Sequence, residues 1–293
     1  VTFQITARTQ ESLSITQTPN TITYGDQFTL SPAGGPGSGD VTWEITSGTD
    51  VAAVDEHSGQ VTIIGHGTAT VKAPKSGLYT VTRAADGANY EDATASWTFT
   101  AVRKPVTAVV TAEDKSYDGN TNATINAVVE QGVLPGDEIT ITGLTGTFSD
   151  ENAGADKTVT VTVGADGKPV DTTGQPVTIT GDNSEHYDVS YSSFTVKAAI
   201  HKKVVEIQTP PTSASLTYDG TAQALLSAGA ATDTTGVQVE YALSEEGPYS
   251  TDIPKGINAG NYTVWYRVQE TDNHTGLAPA QIPVAIAKKP AVP

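Results

Sequence analysis

Residues 97–105 read WTFTAVRKP, and related stretches occur at residues 1–8 (VTFQITAR), 194–203 (FTVKAAIHKK) and 282–290 (IPVAIAKKP). Each stretch alternates apolar residues with small polar ones, which is the pattern of a half-buried β-strand. Each run is followed by a basic residue or pair. We therefore interpret each stretch as the closing strand of one domain, which runs directly into the next domain.

The spacing of these closing strands, about 90 to 100 residues, suggests three domains in the 293 residues. We predict an all-β chain of three tandem immunoglobulin-like (Ig-like) β-sandwiches, joined by short basic-proline junctions into an extended rod. The first and last copies further predict an excerpt from a longer array. The predicted boundaries are residues 1–10 for a remnant strand of a preceding repeat, then 11–103, 104–201, and 202–293 for a third domain with its C-terminal junction.

The composition excludes several classes of protein. The chain has no Cys, which excludes a disulfide scaffold, a cysteine nucleophile and a cysteine-based metal site. Its formal net charge of −17, with 33 acidic and 16 basic residues, argues against binding to nucleic acid or to anionic lipid. No apolar run approaches the ~20 residues that span a bilayer, so we predict no membrane insertion.

Two motifs in the predicted first domain carry a family resemblance. The order VTWEI (residues 41–45) and VAAVDEHSGQVTIIGHGTATV (residues 51–71) resembles the bacterial immunoglobulin-like group 2 domain. The loop DGANYED (residues 86–92) resembles the corresponding turn of the MBG-type modules of bacterial adhesins. The resemblance implies a β-sandwich of the kind found in surface proteins, without an active site.

The predicted second domain resembles a YDG-type repeat of bacterial surface proteins, from which it departs by a long insertion at residues 164–176. The third domain resembles the same broad class of Ig-like adhesin repeats. The motifs in the second domain are KSYDG (115–119), GVLPGDE (132–138), GTF (146–148), NAG (152–154) and HYD (186–188), and those in the third are LTYDGT (216–221), NAGNY (258–262) and DNH (272–274).

Three tyrosines occupy equivalent places in the three predicted domains. Tyr24, Tyr117 and Tyr218 each lie beside a Gly and an Asp, which are turn-forming residues. A tyrosine at such a turn can bury its ring and form a hydrogen bond through its hydroxyl across the corner of a sandwich. We therefore predict a structural role for all three, with ligand binding as the alternative.

No sequence motif indicates an enzyme. The chain contains no nucleophile elbow, P-loop or dinucleotide-binding fingerprint. Its histidines are scattered, and none has a partner at a metal-ligand spacing. We expect no catalytic residues and no organic cofactor. The five histidines are His57, His66, His186, His201 and His274.

Calcium is the metal that the acidic loops could bind, since Ca²⁺ takes six to eight oxygen ligands from carboxylates and carbonyls. Neither loop matches a complete EF-hand pattern. The alternative is a polar turn in which Asp and Asn bond to their own backbone. The candidate ligands are Asp86, Glu91 and Asp92 in one loop and Asp182 and Asp188 in the other.

Two further features could carry specific chemistry. In residues 262–268 (YTVWYRV), alternation predicts that Trp265 points outward with Arg267, where the tryptophan could stack on the arginine, pack on a neighbour or contact a ligand. An intramolecular Lys–Asn isopeptide bond would need a lysine, an asparagine and an acid buried together, and Lys115 and Lys157 are the candidate lysines.

The function predicted from the resemblance is a non-catalytic stalk or spacer segment of a bacterial cell-surface or secreted protein. The alternative is a direct adhesin or carbohydrate-binding module that contacts its target through Trp265 and the acidic loops. The expected partners are neighbouring repeats of the same polypeptide and, in the alternative, a host or cell-wall glycan or protein. We expect an extracellular monomer.

Overall fold

The computed structural model describes residues 6, 12–16, 18–19, 21–34, 39–75, 92–233 and 235–291. These residues form strands and one short 3₁₀ helix (Ser184–His186), so the predicted all-β class is confirmed. No helix in this part of the chain has the length and hydrophobicity that a membrane crossing requires.

The chain folds into two compact units, and it passes from one to the other several times. The predicted second domain, residues 104–201, is divided between the two units, and the three-domain boundaries stay a prediction. The first unit comprises Val1–Val110, Ala127–Gly143 and Val177–Ser193, and the second comprises Thr111–Asn126, Leu144–Pro176 and Phe194–Pro293.

The N-terminal part of the first unit is a β-sandwich. Its two three-stranded sheets have the orders β2-β6-β5 and β4-β7-β8, and β1 pairs with β3. Val61 and Ile63 of β6 pack in one core with Val71 of β7 and Phe99 of β8, so the core lies between these sheets. The strands are β1 (Ser14–Thr16), β2 (Gln27–Thr29), β3 (Ser31–Ala33), β4 (Glu44–Ser47), β5 (Ala52–Val54), β6 (Gln60–Ile63), β7 (Gly67–Lys75) and β8 (Ala93–Ala101).

The central part of the chain contributes strands to both units. In the first unit, β16 pairs in parallel with β9, from Tyr187 opposite Lys104 to Tyr191 opposite Ala108, and β12 pairs with β15. In the second unit, β10, β17, β14 and β13 lie side by side in that order. The strands are β9 (Lys104–Ala112), β10 (Lys115–Ser116), β11 (Asn122–Val129), β12 (Thr140–Thr142), β13 (Thr145–Phe148), β14 (Gly154–Val161), β15 (Thr178–Thr180), β16 (Tyr187–Tyr191) and β17 (Thr195–His201).

The C-terminal part of the second unit is built around a four-stranded sheet of order β19-β25-β24-β22, beside the pairs β18–β21 and β20–β23. Val264 and Val268 of β24 pack with Val284 and Ile286 of β25 in its core. The strands are β18 (Ile207–Thr209), β19 (Leu216–Thr217), β20 (Gln223–Ala224), β21 (Ala230–Ala231), β22 (Val239–Ala242), β23 (Lys255–Gly256), β24 (Gly260–Val268) and β25 (Leu277–Ala287).

Three of the four predicted closing strands are strands in the structure, namely β8, β17 and β25. The fourth, at residues 1–8, lies outside the described residues except for Thr6. β8 and β25 carry long ladders because their alternating residues can bury one face along the strand. β8 pairs with β7 over nine residues, from Gly67 opposite Ala101 to Lys75 opposite Ala93.

Candidate functional site

The end of each closing strand is bound by one of the three predicted tyrosine turns. The backbone N–H of the tyrosine donates to the carbonyl at or just after the end of the strand. The distances are 3.0 Å from Tyr24 to Val102, 2.8 Å from Tyr117 to His201 and 2.9 Å from Tyr218 to Ala287. The residue before each tyrosine pairs in parallel with the same closing segment. We call these three arrangements the first, second and third closing corners.

The first closing corner is covered by a polar cluster around two buried tyrosines, Tyr24 and Tyr187. Tyr24 is only 6% exposed. Its hydroxyl donates to Oδ2 of Asp137 at 2.9 Å, and the hydroxyl of Tyr187 donates to the same oxygen at 2.6 Å. Nδ2 of Asn183 donates to Oδ1 of Asp137 at 2.7 Å. One carboxylate therefore holds two phenols and an amide in place.

The electrostatics of this cluster favour an ionised Asp137. Burial alone would raise the pKa of its carboxyl group, but hydrogen bonds from Tyr187, Asn183 and Tyr24 lower that pKa below its ordinary value. Burial, together with the Asp137 carboxylate, raises the pKa of Tyr187 to about 12, and the pKa of Tyr24 is raised for the same reasons. Both phenols therefore remain protonated donors at neutral pH, which matches their hydrogen bonds.

A close backbone approach completes the first closing corner. Gly25 has a φ of +86°, which L-residues with a side chain rarely adopt. A Cβ at Gly25 would lie 2.4 Å from Cδ1 of Leu134. The N–H of Leu134 in turn donates to the hydroxyl of Tyr187 at 2.9 Å. Glycine at position 25 thus lets the GVLPGDE segment pack directly on the tyrosine turn.

Two histidines face each other beside Tyr24. Nδ1 of His66 lies 2.9 Å from Nδ1 of His186, and the His186 ring is 4.7 Å from the Tyr24 ring. Because one nitrogen must donate and the other accept, at least one of the two rings is neutral. Burial, the charge of Arg103 and the proximity of His186 lower the pKa of His66, against the opposing influence of Glu185.

The second closing corner has a different cover. The Tyr117 ring meets the His274 ring edge to face, with centroids 5.3 Å apart. His274 is 3% exposed, and its Nε2 lies 3.2 Å from Oδ2 of Asp233. Nζ of Lys203 lies 2.7 Å from the same oxygen. The lysine, a backbone N–H and the histidine hold the pKa of Asp233 far below its usual range.

Polar contacts extend this second cover. Oδ1 of Asn273 accepts the backbone N–H of Ala153 at 2.8 Å, and its Nδ2 donates to Oδ1 of Asn152 at 3.1 Å. Nζ of Lys202 pairs with Glu270 at 2.5 Å. The basic pair that follows β17 is therefore held by two carboxylates, because Lys203 binds Asp233 in the same way.

The third closing corner has the same local conformation but no such cover. A Cβ at Gly220 would lie 4.0 Å from the hydroxyl of Tyr218, and one at Gly119 would lie 3.9 Å from that of Tyr117, so the two turns are alike. Tyr218 is 39% exposed. The burial expected for the three tyrosines is thus found for Tyr24 and not for Tyr218, while Tyr117 is half-buried.

The predicted calcium ligands are not gathered into a site by the residues that the structure describes. Asp86 and Glu91 lie outside those residues, and Asp92, Asp182 and Asp188 are exposed. No group of three or more His, Cys, Asp or Glu side chains suited to a metal occurs in the described ranges. Calcium binding stays a prediction that the structure does not test.

Arg267 is held by neighbours other than Trp265. Its guanidinium lies 4.1 Å from the centre of the Tyr249 ring, and its Nε lies 3.1 Å from Glu240. Trp265 is half-buried, opposite Ala242 and Gln281 on the adjacent strands. Val264 and Val268, on the other face of β24, are buried in the core. The predicted ligand role of Trp265 and Arg267 is untested.

Each candidate isopeptide lysine has an acidic partner. Nζ of Lys115 lies 2.8 Å from Asp118 and 3.1 Å from Oδ1 of Asn120, while Nζ of Lys157 lies 2.5 Å from Asp150. At Lys115 the ammonium also donates to the backbone carbonyl of Asn120 at 2.7 Å.

The sequence prediction missed Asp137 and the pairing of His66 with His186. The GVLPGDE motif contains Asp137, but nothing in the motif indicates which hydroxyls its carboxylate binds, because Tyr24 is 113 residues away. One sequence feature could have suggested the pairing of the two histidines. Both lie within recognised motifs, His66 in GHGT and His186 in HYD.

The middle of the chain is similar to a known family. Residues 102–194 match the YDG domain. This stretch includes the Tyr117 turn, Asp137 and Tyr187, but it covers less than half of the chain. Curated protein sequences gave no match.

Solved structures of low similarity include cadherins and a surface layer protein. N-cadherin EC1-4 of Drosophila is 10% identical, covering 97% of this chain and 76% of that one, with a TM-score of 0.29. Mouse cadherin-23 EC22-24 is 12% identical, covering 98% of both chains, with a TM-score of 0.24. Domains 4-9 of the surface layer protein SbsC are 13% identical, covering 96% and 48%, with a TM-score of 0.22. TM-scores below 0.5 support no conclusion about function.

Proposed function

We propose that this chain is a non-catalytic spacer segment of an extracellular bacterial surface or secreted protein, built from three Ig-like modules in tandem. The observation that carries the proposal is the threefold recurrence of the closing corner. In each case a tyrosine N–H binds the end of a closing strand just before a basic pair. Repetition of one structural joint, without a repeated reactive group, is what a spacer requires.

The junctions after the closing strands support the same function. β8 ends at Ala101 and β9 begins at Lys104, so only two residues separate consecutive strands. Pro105 follows, and proline fixes its own φ and restricts the residue before it. After β17, Lys202 and Lys203 are held by Glu270 and Asp233. Such joints leave little free chain between modules.

The match of residues 102–194 to the YDG domain supports an assignment to surface proteins, because the YDG-type repeats that the sequence resembles occur there. The absence of Cys is compatible with this location. The proposal requires no cofactor, no nucleic acid and no membrane insertion. Its partners are neighbouring modules of the same polypeptide.

Single-molecule force spectroscopy on the full chain tests the proposal. A tandem spacer should unfold in separate steps, one for each module, and each step should release roughly 90 residues. At about 3.6 Å per residue this corresponds to a contour-length gain of roughly 30 nm per step. A single step, or extension without steps, would contradict the proposal.

A glycan array on the same chain tests the adhesin alternative. The spacer function predicts no saturable binding of the wild-type chain. Binding that is lost in Trp265→Ala, but kept in the matched variant Trp97→Phe, would replace the spacer function by direct recognition through β24. Trp97 is a suitable control because it is half-buried, like Trp265, and packs against the core of the N-terminal sandwich.

A further inference from the structure

The third closing corner carries an exposed version of a surface that is covered at the other two corners. Its Tyr218 backbone forms the same hydrogen bond to the closing strand. Among the described residues, the side chain of Tyr218 has no hydrogen bond or ring contact, and it is exposed. Lys288 and Lys289, which follow β25 as Lys202 and Lys203 follow β17, are exposed and form no ion pair within the described ranges.

The covers of the first two closing corners share three chemical features. Each supplies a histidine ring against the tyrosine, namely His186 on Tyr24 and His274 on Tyr117. Each supplies an asparagine shortly before that histidine, namely Asn183 in the first cover and Asn273 in the second. Each also supplies a buried or half-buried carboxylate, which is Asp137 in the first cover and Asp233 in the second.

The second cover also explains the basic pair. Lys202 binds Glu270 and Lys203 binds Asp233, so two ammonium groups meet two carboxylates from the segment that follows. The pair Lys288-Lys289 stands at the same distance from its tyrosine corner, directly after Ala287. In a chain with a net charge of −17, two adjacent exposed lysines select an acidic partner.

We propose that Tyr218, Lys288 and Lys289 form a docking surface for the acidic Asn-His loop of a further module built like residues 202–291. The incoming histidine packs edge to face on Tyr218, and two carboxylates of the incoming module bind the lysine pair. This inference rests on the proposed spacer function, because a tandem spacer contains the further module that docks here. It adds the surface that receives that module.

The test uses the full chain with one additional module. Residues 1–289 are followed directly by a second copy of residues 204–291, so that Lys288-Lys289 takes the place of Lys202-Lys203 in the copy. The copy carries Ser215→Ala at an exposed position, which distinguishes its peptides by mass. Tyrosines are nitrated with tetranitromethane, and each peptide is quantified by mass spectrometry in the original and the extended chain.

The expected result is a fall in the nitration rate of Tyr218, from that of an exposed tyrosine to that of Tyr117. The corresponding tyrosine of the added copy has no cover and should stay reactive, which provides a control within the same molecule. The double variant Lys288→Glu, Lys289→Glu changes only exposed side chains and should restore the reactivity of Tyr218.

Equal nitration of Tyr218 in the original and extended chains would overturn the inference. Protection that survives in the Lys288→Glu, Lys289→Glu variant would overturn the role of the lysine pair. Either failure would leave stepwise unfolding under force, and hence the spacer function, intact. Loss of the force steps with Tyr218 still protected would instead contradict the spacer function alone.

Discussion

The first and second closing corners have the same backbone and different covers. In both, a tyrosine N–H binds the end of a closing strand at 2.8 to 3.0 Å. Around Tyr24 the cover is a carboxylate shared by two phenols, whereas around Tyr117 it is a histidine ring backed by an aspartate and a lysine. The backbone joint is therefore the repeated element, and the side chains that cover it differ between the two corners.

The difference has an energetic consequence. Asp137 is surrounded by neutral donors, and its loss would leave the two buried phenols unsatisfied. Asp233 is bound by a lysine and a histidine, and Lys203 keeps contact with solvent. Removing the shared acceptor of two buried phenols costs more than weakening an ion pair with a partly solvated lysine. The first closing corner should therefore be the more sensitive of the two to a single substitution.

The largest expected effect is that of Asp137→Ala. It removes the acceptor of Tyr24, Tyr187 and Asn183, and we expect a loss of about 3 kcal/mol in the free energy of unfolding, or roughly 10 °C in Tm for a unit of this size. Near-ultraviolet circular dichroism during heating measures it. The control is Asp182→Ala, since Asp182 is exposed. Equal shifts in the two variants would refute the role of the cluster.

A smaller effect should separate the two tyrosines themselves. Tyr24→Phe removes a hydroxyl bonded to Asp137 and should cost about 1 kcal/mol. Tyr117→Phe keeps the ring against His274, and no hydrogen bond of the Tyr117 hydroxyl occurs among the described residues, so its stability should change little. Urea denaturation of both variants gives the comparison. A larger loss in Tyr117→Phe would reverse our ranking of the corners.

The smallest effect should come from pH. Because the folded protein lowers the pKa of His66, the unfolded chain binds more protons once the pH falls below about 6.5. The histidine contact therefore contributes its full stability above that pH and loses it as the pH falls further. We expect the first unit to lose up to about 1 kcal/mol, the worth of one hydrogen bond, between pH 7 and pH 5.

His66→Asn provides the matched variant for this pH prediction. Its side-chain amide can still donate to His186, but it does not titrate. Melting curves at pH 5 and pH 7 should therefore lie closer together in the variant than in the wild type. An unchanged pH dependence would assign the acid sensitivity to other groups of the cluster.

Much of the fold could be predicted from the sequence because strands have a local signal. The alternation in residues 97–105 and 282–290 predicted the position of both closing strands, which are β8 and β25 in the structure. In β24 the alternation that predicts an outward Trp265 leaves Val264 and Val268 on the opposite face, and both lie in the core. Residues 164–176 carry no such alternation, because their isolated bridges, Val163 with Pro169 and Val170 with Pro176, close two short local turns instead of extending a strand.

The candidate site was only partly predictable, for a physical reason. The tyrosine turns are local, and a Gly and an Asp beside the tyrosine indicate them directly. What covers a turn is decided by contacts between distant parts of the chain, and no local pattern encodes them. Tyr24 and Tyr218 have nearly the same sequence surroundings, yet one is buried and the other is exposed.

The discontinuous first unit has a consequence for the order in which the chain can fold. Tyr24 is synthesised early, but its cover comes from Asp137 and Tyr187. At a synthesis rate of about 5–20 residues per second, Tyr187 leaves the ribosome on the order of 10 s after Tyr24. During that interval the N-terminal sandwich, whose last strand ends at Ala101, can form while the Tyr24 corner is still uncovered. The arrival of Tyr187 therefore times the completion of the first unit, and any factor that binds nascent chains meets the Tyr24 corner while it is still open.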